Sequence, residues 1–174
     1  QSYLVGLAGE ELLCYEIVDQ YANYTSLSPD EKAQIIREEG ELLRKADIVF
    51  IPNASFMEEK SRSRSHTYVV SNTVDVSLFA KALEQATQIP ADLEKIPGKR
   101  IGYIGNINDW TDCELLNYLA QSHPEWSFVL LGRVDGTKKF QDSSAFKTLQ
   151  HQPNVHFLGW RDYTLLPSYL KGMH

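Results

Sequence analysis

The stretch from Lys99 to Arg133 limits what this chain can fold into more than any other. An apolar run, Ile101-Gly102-Tyr103-Ile104, stops at Gly105-Asn106. A helical pattern follows from Asp112 to His123, and a second apolar run, Ser127-Phe128-Val129-Leu130-Leu131, stops at Gly132-Arg133. Two buried-strand patterns, each ended by glycine and joined through one helix, read as a βαβ unit. Such units build parallel sheets, and open parallel sheets bind ligands at the carboxyl ends of their strands. The ligand site is therefore expected at Gly105-Asn106 and Gly132-Arg133.

Strand and helix patterns alternate through the rest of the chain as well. Leu12 to Val18 reads as a strand stopping at Asp19, after an apolar stretch, Tyr3 to Leu13, that has the look of a helix end. Ser28-Pro29-Asp30-Glu31 is a helix start, with Ser28 as N-cap, Pro29 at the first helical position and Glu31 as capping-box partner. Ile35, Ile36, Leu42 and Leu43 give this helix an apolar face as far as Ala46. Asp47 to Pro52 and Thr67 to Val70 read as strands, Phe56 to Lys60 as a helical turn or two, and Phe79 to Thr87 as a helix. Ile89-Pro90 and Ile96-Pro97-Gly98 punctuate a linker. Beyond Arg133 come a polar loop, a helix through Leu149, a strand from Pro153 to Trp160 and a helix from Tyr163 to Lys171. The class is α/β with Rossmann-like parallel sheets. The expected division is 1–80, a linker over 81–97, and 98–174.

With 43% hydrophobic residues the chain can bury a sizeable core, and no apolar run is long enough to span a bilayer. A net charge of −6 argues against nucleic acid as the main partner. Cys14 and Cys113 lie far apart with no metal-ligand spacing, which reads as free, buried thiols in a reducing compartment. Asn23-Tyr24-Thr25 and Asn53-Ala54-Ser55 fit the glycosylation sequon; with no signal peptide in view they read as chance. The basic run Ser61 to His66 reads as a solvated loop, with a phosphate site as the alternative. The histidines show no paired spacing, so no metal site is expected.

Taken in register, several stretches resemble glycosyltransferases of the GT-B fold, the group that includes glycogen synthases and bacterial polysaccharide glycosyltransferases. They are Ala46 to Phe50, Val69 to Asp75 with Phe79, Ile101 to Gly105, Phe128 to Gly132, Pro153 to Gly159, and Leu166 to Lys171. The resemblance implies parts of two Rossmann-like domains. Residues to about Ala80 would be the later part of the acceptor domain, and those from about Pro97 the first half of the nucleotide-sugar donor domain. It implies no cofactor and no obligatory metal, with a nucleotide diphosphate-sugar as donor substrate and a polysaccharide or glycolipid as acceptor. It implies a cytoplasmic protein, with peripheral contact at the inner face of the membrane as an option for the full-length protein.

The chain departs from the family pattern in three places. Thr73 stands where relatives have a glycine in a turn. The loop Asn106 to Trp110 has no cation where many relatives carry an Arg and a Lys against the diphosphate. The family's acidic motif, two glutamates separated by seven residues, would fall beyond His174. Three strands in the second half also make too small a sheet, so a fragment of a longer protein, or one half of something that pairs, is expected.

Each candidate site residue has a functional and a structural reading. Gly105 and Asn106 allow close approach of phosphate to backbone, or merely form a strand-to-helix turn. Arg133 supplies a guanidinium for phosphate, or is a surface arginine. Phosphate can also be held by backbone N–H groups at the next helix's N-terminus. Trp160 stacks near a nucleobase, or fills the core. Asp19 acts as general base on an acceptor hydroxyl, or caps a loop turn; Tyr21 and Tyr24 pack together, or form a sugar platform. The expected function is a glycosyltransferase or a fragment of one. The alternative is a non-catalytic Rossmann-like module that binds a nucleotide or a protein.

Overall fold

The computed structural model describes residues 4–7, 9–24, 27–56 and 66–174. The chain forms two compact units, Gln1–Thr73 and Val74–His174.

The first unit holds strands β1 (Cys14–Glu16), β2 (Ile48–Ile51) and β3 (Thr67–Val69), with helix α1 (Pro29–Lys45) between β1 and β2. The three strands pair in parallel in the order β1-β2-β3, with Tyr15 opposite Val49 and Val49 opposite Thr67. The helix begins as its sequence predicts. The Ser28 side chain accepts from the Glu31 backbone N–H, and the Glu31 carboxylate accepts from the Ser28 N–H at 2.8 Å. Ile17, Ala46, Val49, Ile51 and Phe56 form the core, with Leu43 of α1 packed on it. Residues 9–13 carry no helix, so the expected helix end at Tyr3 to Leu13 is absent there. The short apolar run imitated a helical stripe without the length a helix needs. Cys14 is exposed, contrary to expectation, because β1 is an outer strand of this sheet; Cys113 is buried. Residues 57–65, which include the rest of the expected turn after Phe56 and most of the basic run, lie outside the described residues, as does Thr25 of the first sequon.

The second unit opens with α2 (Val76–Phe79), a 3-10 turn over Ala80–Leu83, and α3 (Ala91–Glu94). There follow β4 (Lys99–Ile104), α4 (Cys113–Ser122), β5 (Trp126–Leu131), α5 (Lys138–Gln141), α6 (Ser144–Gln150), β6 (Val155–Phe157), a 3-10 turn over Tyr163–Leu165, and α7 (Leu166–Lys171). The strands are parallel in the order β4-β5-β6. Both faces of the central strand are covered. Phe128 and Leu130 pack with Ala120, Phe146 and Leu149, while Val129 and Leu131 pack with Leu93, Ile96 and Tyr169. Alternate residues of a strand point to opposite faces, so burial on both sides requires an unbroken apolar run. That is why β5 was so plain in the sequence.

Residues 81–97, where the sequence suggests a linker, belong to this second unit. Leu93 is fully buried, in the cluster with Ile96. A four-residue helix between two prolines is too short to display a periodic apolar face. The single helix expected to run through Leu149 is instead two, α5 and α6. Each has its own N-cap, Thr137 accepting from Phe140 N–H and Ser143 from Phe146 N–H, and the break lets both phenylalanines turn inward with ring centroids 4.8 Å apart. No described helix is long and apolar enough to cross a membrane.

Candidate functional site

The carboxyl ends of β4, β5 and β6 bring three loops together. Gly105 N–H donates to the Leu131 carbonyl at 2.9 Å, and Gly132 N–H donates to the Gly159 carbonyl at 3.0 Å. Pairing then continues past the strands: Ile107 N–H donates to Arg133 O at 2.8 Å, and Ile107 bridges Val134. A Cβ placed on Gly132 would lie 1.8 Å from the Gly105 carbonyl oxygen, so no larger residue fits there without moving backbone.

Side chains clasp the first two loops. The Asn106 amide donates to the Asp135 carboxylate at 2.8 Å, and the Tyr103 hydroxyl donates to the Asn106 carbonyl at 3.0 Å. The Asp109 carboxylate accepts from the Thr137 hydroxyl at 2.6 Å and the Thr137 N–H at 2.8 Å. These two bonds hold the Asp109 carboxyl below its usual range, the hydroxyl being the stronger cause.

The third loop carries the aromatic. Trp160 is 55% exposed, so it is not core filler. The Arg133 guanidinium carbon sits 5.4 Å from the Trp160 ring centroid, within cation–π range. This arrangement offers a flat π surface with a cation beside it, at the sheet end where parallel sheets bind ligands. It is suited to a planar ring that bears an anionic group. Gly105, Asn106, Arg133 and Trp160 are thus gathered on one edge of the second unit.

Helix α4 begins where its sequence pattern predicts, after Asp112. Its N-cap, Asp112, accepts from Leu115 N–H at 2.9 Å. A carboxylate already occupies that N-terminus and repels phosphate. Asp19 belongs to the first unit. Its carboxylate accepts from Gln20 N–H at 2.7 Å and from the Tyr24 hydroxyl at 2.9 Å, the geometry of a loop cap. Hydrogen bonding to Asp19 pushes the Tyr24 hydroxyl above its usual pKa, and the Tyr21 and Tyr24 rings pack with centroids 5.3 Å apart.

No local pattern in the sequence singles out Asp109, Asp135 or Thr137, nor the cluster of Asp92, Arg161 and Tyr169. Asp92 and Arg161 are 69 residues apart, so no local spacing could link them. Among the described residues no group of three His, Cys, Asp or Glu side chains could hold a metal ion. A depression of about 480 Å³ lies at the opposite end of the second sheet, lined among others by Pro97, Gly98, Pro153 and His156. It opens at the amino ends of the strands, away from the glycine-ended loops.

Solved structures with this architecture exist. One is the crystal structure of Alr3699/HepE from Anabaena in complex with UDP and glucose: TM-score 0.64, 20% identity, covering 93% of this chain and 44% of that one. Another is the same protein in complex with UDP-glucose: TM-score 0.62, 20% identity, covering 90% of this chain and 43% of that one. This chain has the fold of part of HepE. It therefore spans less than half the length of the protein it matches. No family model and no curated protein matches the sequence. The Rossmann-like α/β class expected from the sequence is borne out, and the resemblance to part of a GT-B glycosyltransferase extends to the fold.

Proposed function

We propose that this chain is part of a glycosyltransferase that uses a nucleotide-sugar donor, and that the donor's nucleotide binds at the carboxyl edge of the second sheet. The observation that carries the reading is the Arg133–Trp160 pair, an exposed indole with a guanidinium over it, beside the glycine-ended strands. The base stacks on Trp160 and Arg133 meets the diphosphate, which the glycines at 105 and 132 allow to approach backbone. Arg133 carries the charge neutralisation here, because Asp112 already occupies the N-terminus of α4. The fold shared with a protein that binds UDP and UDP-glucose supports this reading.

In the transfer, an acceptor hydroxyl oxygen bonds to the anomeric carbon of the sugar. The bond from that carbon to the diphosphate oxygen breaks, and the nucleoside diphosphate leaves with the electron pair. Asp19 is assigned the proton of the acceptor hydroxyl, after exchanging its bond with Tyr24. No obligatory metal is invoked. The acceptor is a polysaccharide or glycolipid, and the full-length protein works in the cytoplasm, in peripheral contact with the inner membrane face where the acceptor is a lipid.

A second reading is a non-catalytic Rossmann-like module. It is favoured by the loop Asn106 to Trp110, which has an aspartate and no cation.

Calorimetric titration of the chain with UDP, GDP and their sugar conjugates tests the proposal. One nucleotide is expected to bind saturably, with Trp160→Ala weakening it about tenfold or more, the range of base–aromatic stacking. Arg133→Ala is expected to weaken the nucleotide more than the free nucleoside. Absence of binding to all of them would reject the donor site. Binding without turnover by the full-length protein would favour the module.

A further inference from the structure

A side-chain cluster on Arg161 adjoins the Arg133–Trp160 pair. Arg161, the next residue after Trp160, spends every guanidinium nitrogen on a partner. Nη1 donates to the Trp160 carbonyl at 2.9 Å, Nε to the Tyr169 hydroxyl at 2.6 Å, and Nη2 to Asp92 Oδ2 at 2.7 Å. The Tyr169 hydroxyl donates on to the Asp92 carboxylate, 2.9 Å from Oδ2, and the guanidinium carbon lies 5.5 Å from the Tyr169 ring centroid. Tyr169 is buried on α7, and Asp92 lies on α3 beside the fully buried Leu93. Asp92 also accepts from its neighbour Leu93 N–H at 2.9 Å.

This cluster is more than a surface ion pair. Three elements meet at one guanidinium, and the arginine is only partly exposed, so its geometry is enforced rather than optional. The backbone on both sides of Trp160 is fixed, on one of them by this cluster. On one side Gly159, at φ +74°, accepts from Gly132 N–H. On the other, Arg161 holds the Trp160 carbonyl itself. The indole is left exposed while the peptide that bears it is anchored to the core.

We infer that Arg161 is a positioning residue for the nucleotide site: with Asp92 and Tyr169 it forms a latch that sets the orientation of the Trp160 ring. This deepens the donor-site reading and rests on it only for its effect on affinity. The latch predicts that the nucleotide site answers to changes on α3 and α7, which carry none of the residues assigned to it. A hydrogen bond to a charged group lost from this cluster reaches the site as a misplaced ring.

The test uses the whole chain and the variants Arg161→Met, Arg161→Lys, Tyr169→Phe and Trp160→Phe. The indole N–H resonance of Trp160, assigned by its disappearance in Trp160→Phe, reads the ring's surroundings with no ligand present. Arg161→Met and Tyr169→Phe are expected to shift or broaden that resonance while leaving those of Trp110 and Trp126 in place. Titration with UDP and GDP should then show about tenfold weaker binding of the bound nucleotide in Arg161→Met, the scale of one charge-assisted hydrogen bond. Arg161→Lys, which keeps the charge but not the fork, should recover less than half of that loss on the free-energy scale. If Arg161→Met does not fold, Tyr169→Phe, which keeps the ring and removes only the hydroxyl bridge, gives the same reading. An unmoved Trp160 resonance in Tyr169→Phe, with affinity within twofold, would overturn the latch. A shifted resonance in a chain that binds neither nucleotide would uphold the latch and reject the donor-site reading, so the two failures are told apart.

Discussion

Gly132 and Gly105 approach so closely that a Cβ on the first would sit 1.8 Å from the carbonyl oxygen of the second. The obstacle is backbone, which cannot rotate away as a side chain tip can. Gly132→Ala is therefore expected to cost about 3 kcal/mol, the upper end for overpacking, and to separate the loops that carry Arg133 and Asn106. Chemical denaturation measures the loss. Gly40, within α1, makes the contrast: a Cβ there meets only the far end of Arg44 at 3.7 Å. Gly40→Ala should raise stability by about 0.5–1 kcal/mol through the helix's lower backbone entropy cost.

The Asp109–Thr137 clasp should show in acid. Its carboxyl has a lowered pKa in the folded chain, so the stability it contributes is full above the ordinary value of 3.8 and is lost as pH falls through the lower, folded value. Asp109→Ala should remove that acid-side loss at its own position. At pH 7 the same variant should cost no more than about 1 kcal/mol, since the pair is exposed. Urea melts at pH 7 and pH 3 compare the two.

His156, on the outer strand β6, responds at higher pH. Burial holds its imidazole below the ordinary 6.5, with no other cause of comparable size. The neutral ring is the stable form. Its contribution is full above 6.5 and is lost as pH falls through the depressed folded value. His156→Gln should flatten the fall in stability between pH 7 and pH 5, measured by thermal unfolding in buffers of matched ionic strength.

Leu93 tests whether residues 81–97 belong to the second unit's core. It is fully buried between Ile89, Gly172 and the sheet, so Leu93→Ala should cost about 3 kcal/mol and lower the unfolding temperature of that unit. A residue in a solvated linker would tolerate the same change within about 0.5 kcal/mol.

Local chemistry made several of these elements legible in advance. Ser28, Pro29 and Glu31 are enough to start α1, because the capping bonds form among neighbours. The apolar runs before Gly105 and Gly132 announce β4 and β5, but only β5 is buried on both faces; β4 is an outer strand with Tyr103 and Ile104 exposed, contrary to the buried pattern expected of it. The same glycines, with Asn106, Arg133 and Trp160, marked the edge on which a site was to be sought. What stayed hidden depends on residues remote in sequence. The Arg161 latch joins positions 69 and 8 residues away. Asp109 meets Thr137 across 28 residues, and Leu93 becomes core only because Val129, Leu131 and Tyr169 close over it. Each of those contacts is chosen by packing rather than by neighbours. By itself, then, the sequence determined strand order, the starts of α1 and α4, the parallel class and the glycine-ended edge, since these follow from spacing, capping and runs of one polarity. Only the tertiary structure decided that Trp160 stands exposed under Arg133, and that Arg161 joins Asp92 and Tyr169. Those outcomes turn on distances between loops, which no local pattern encodes.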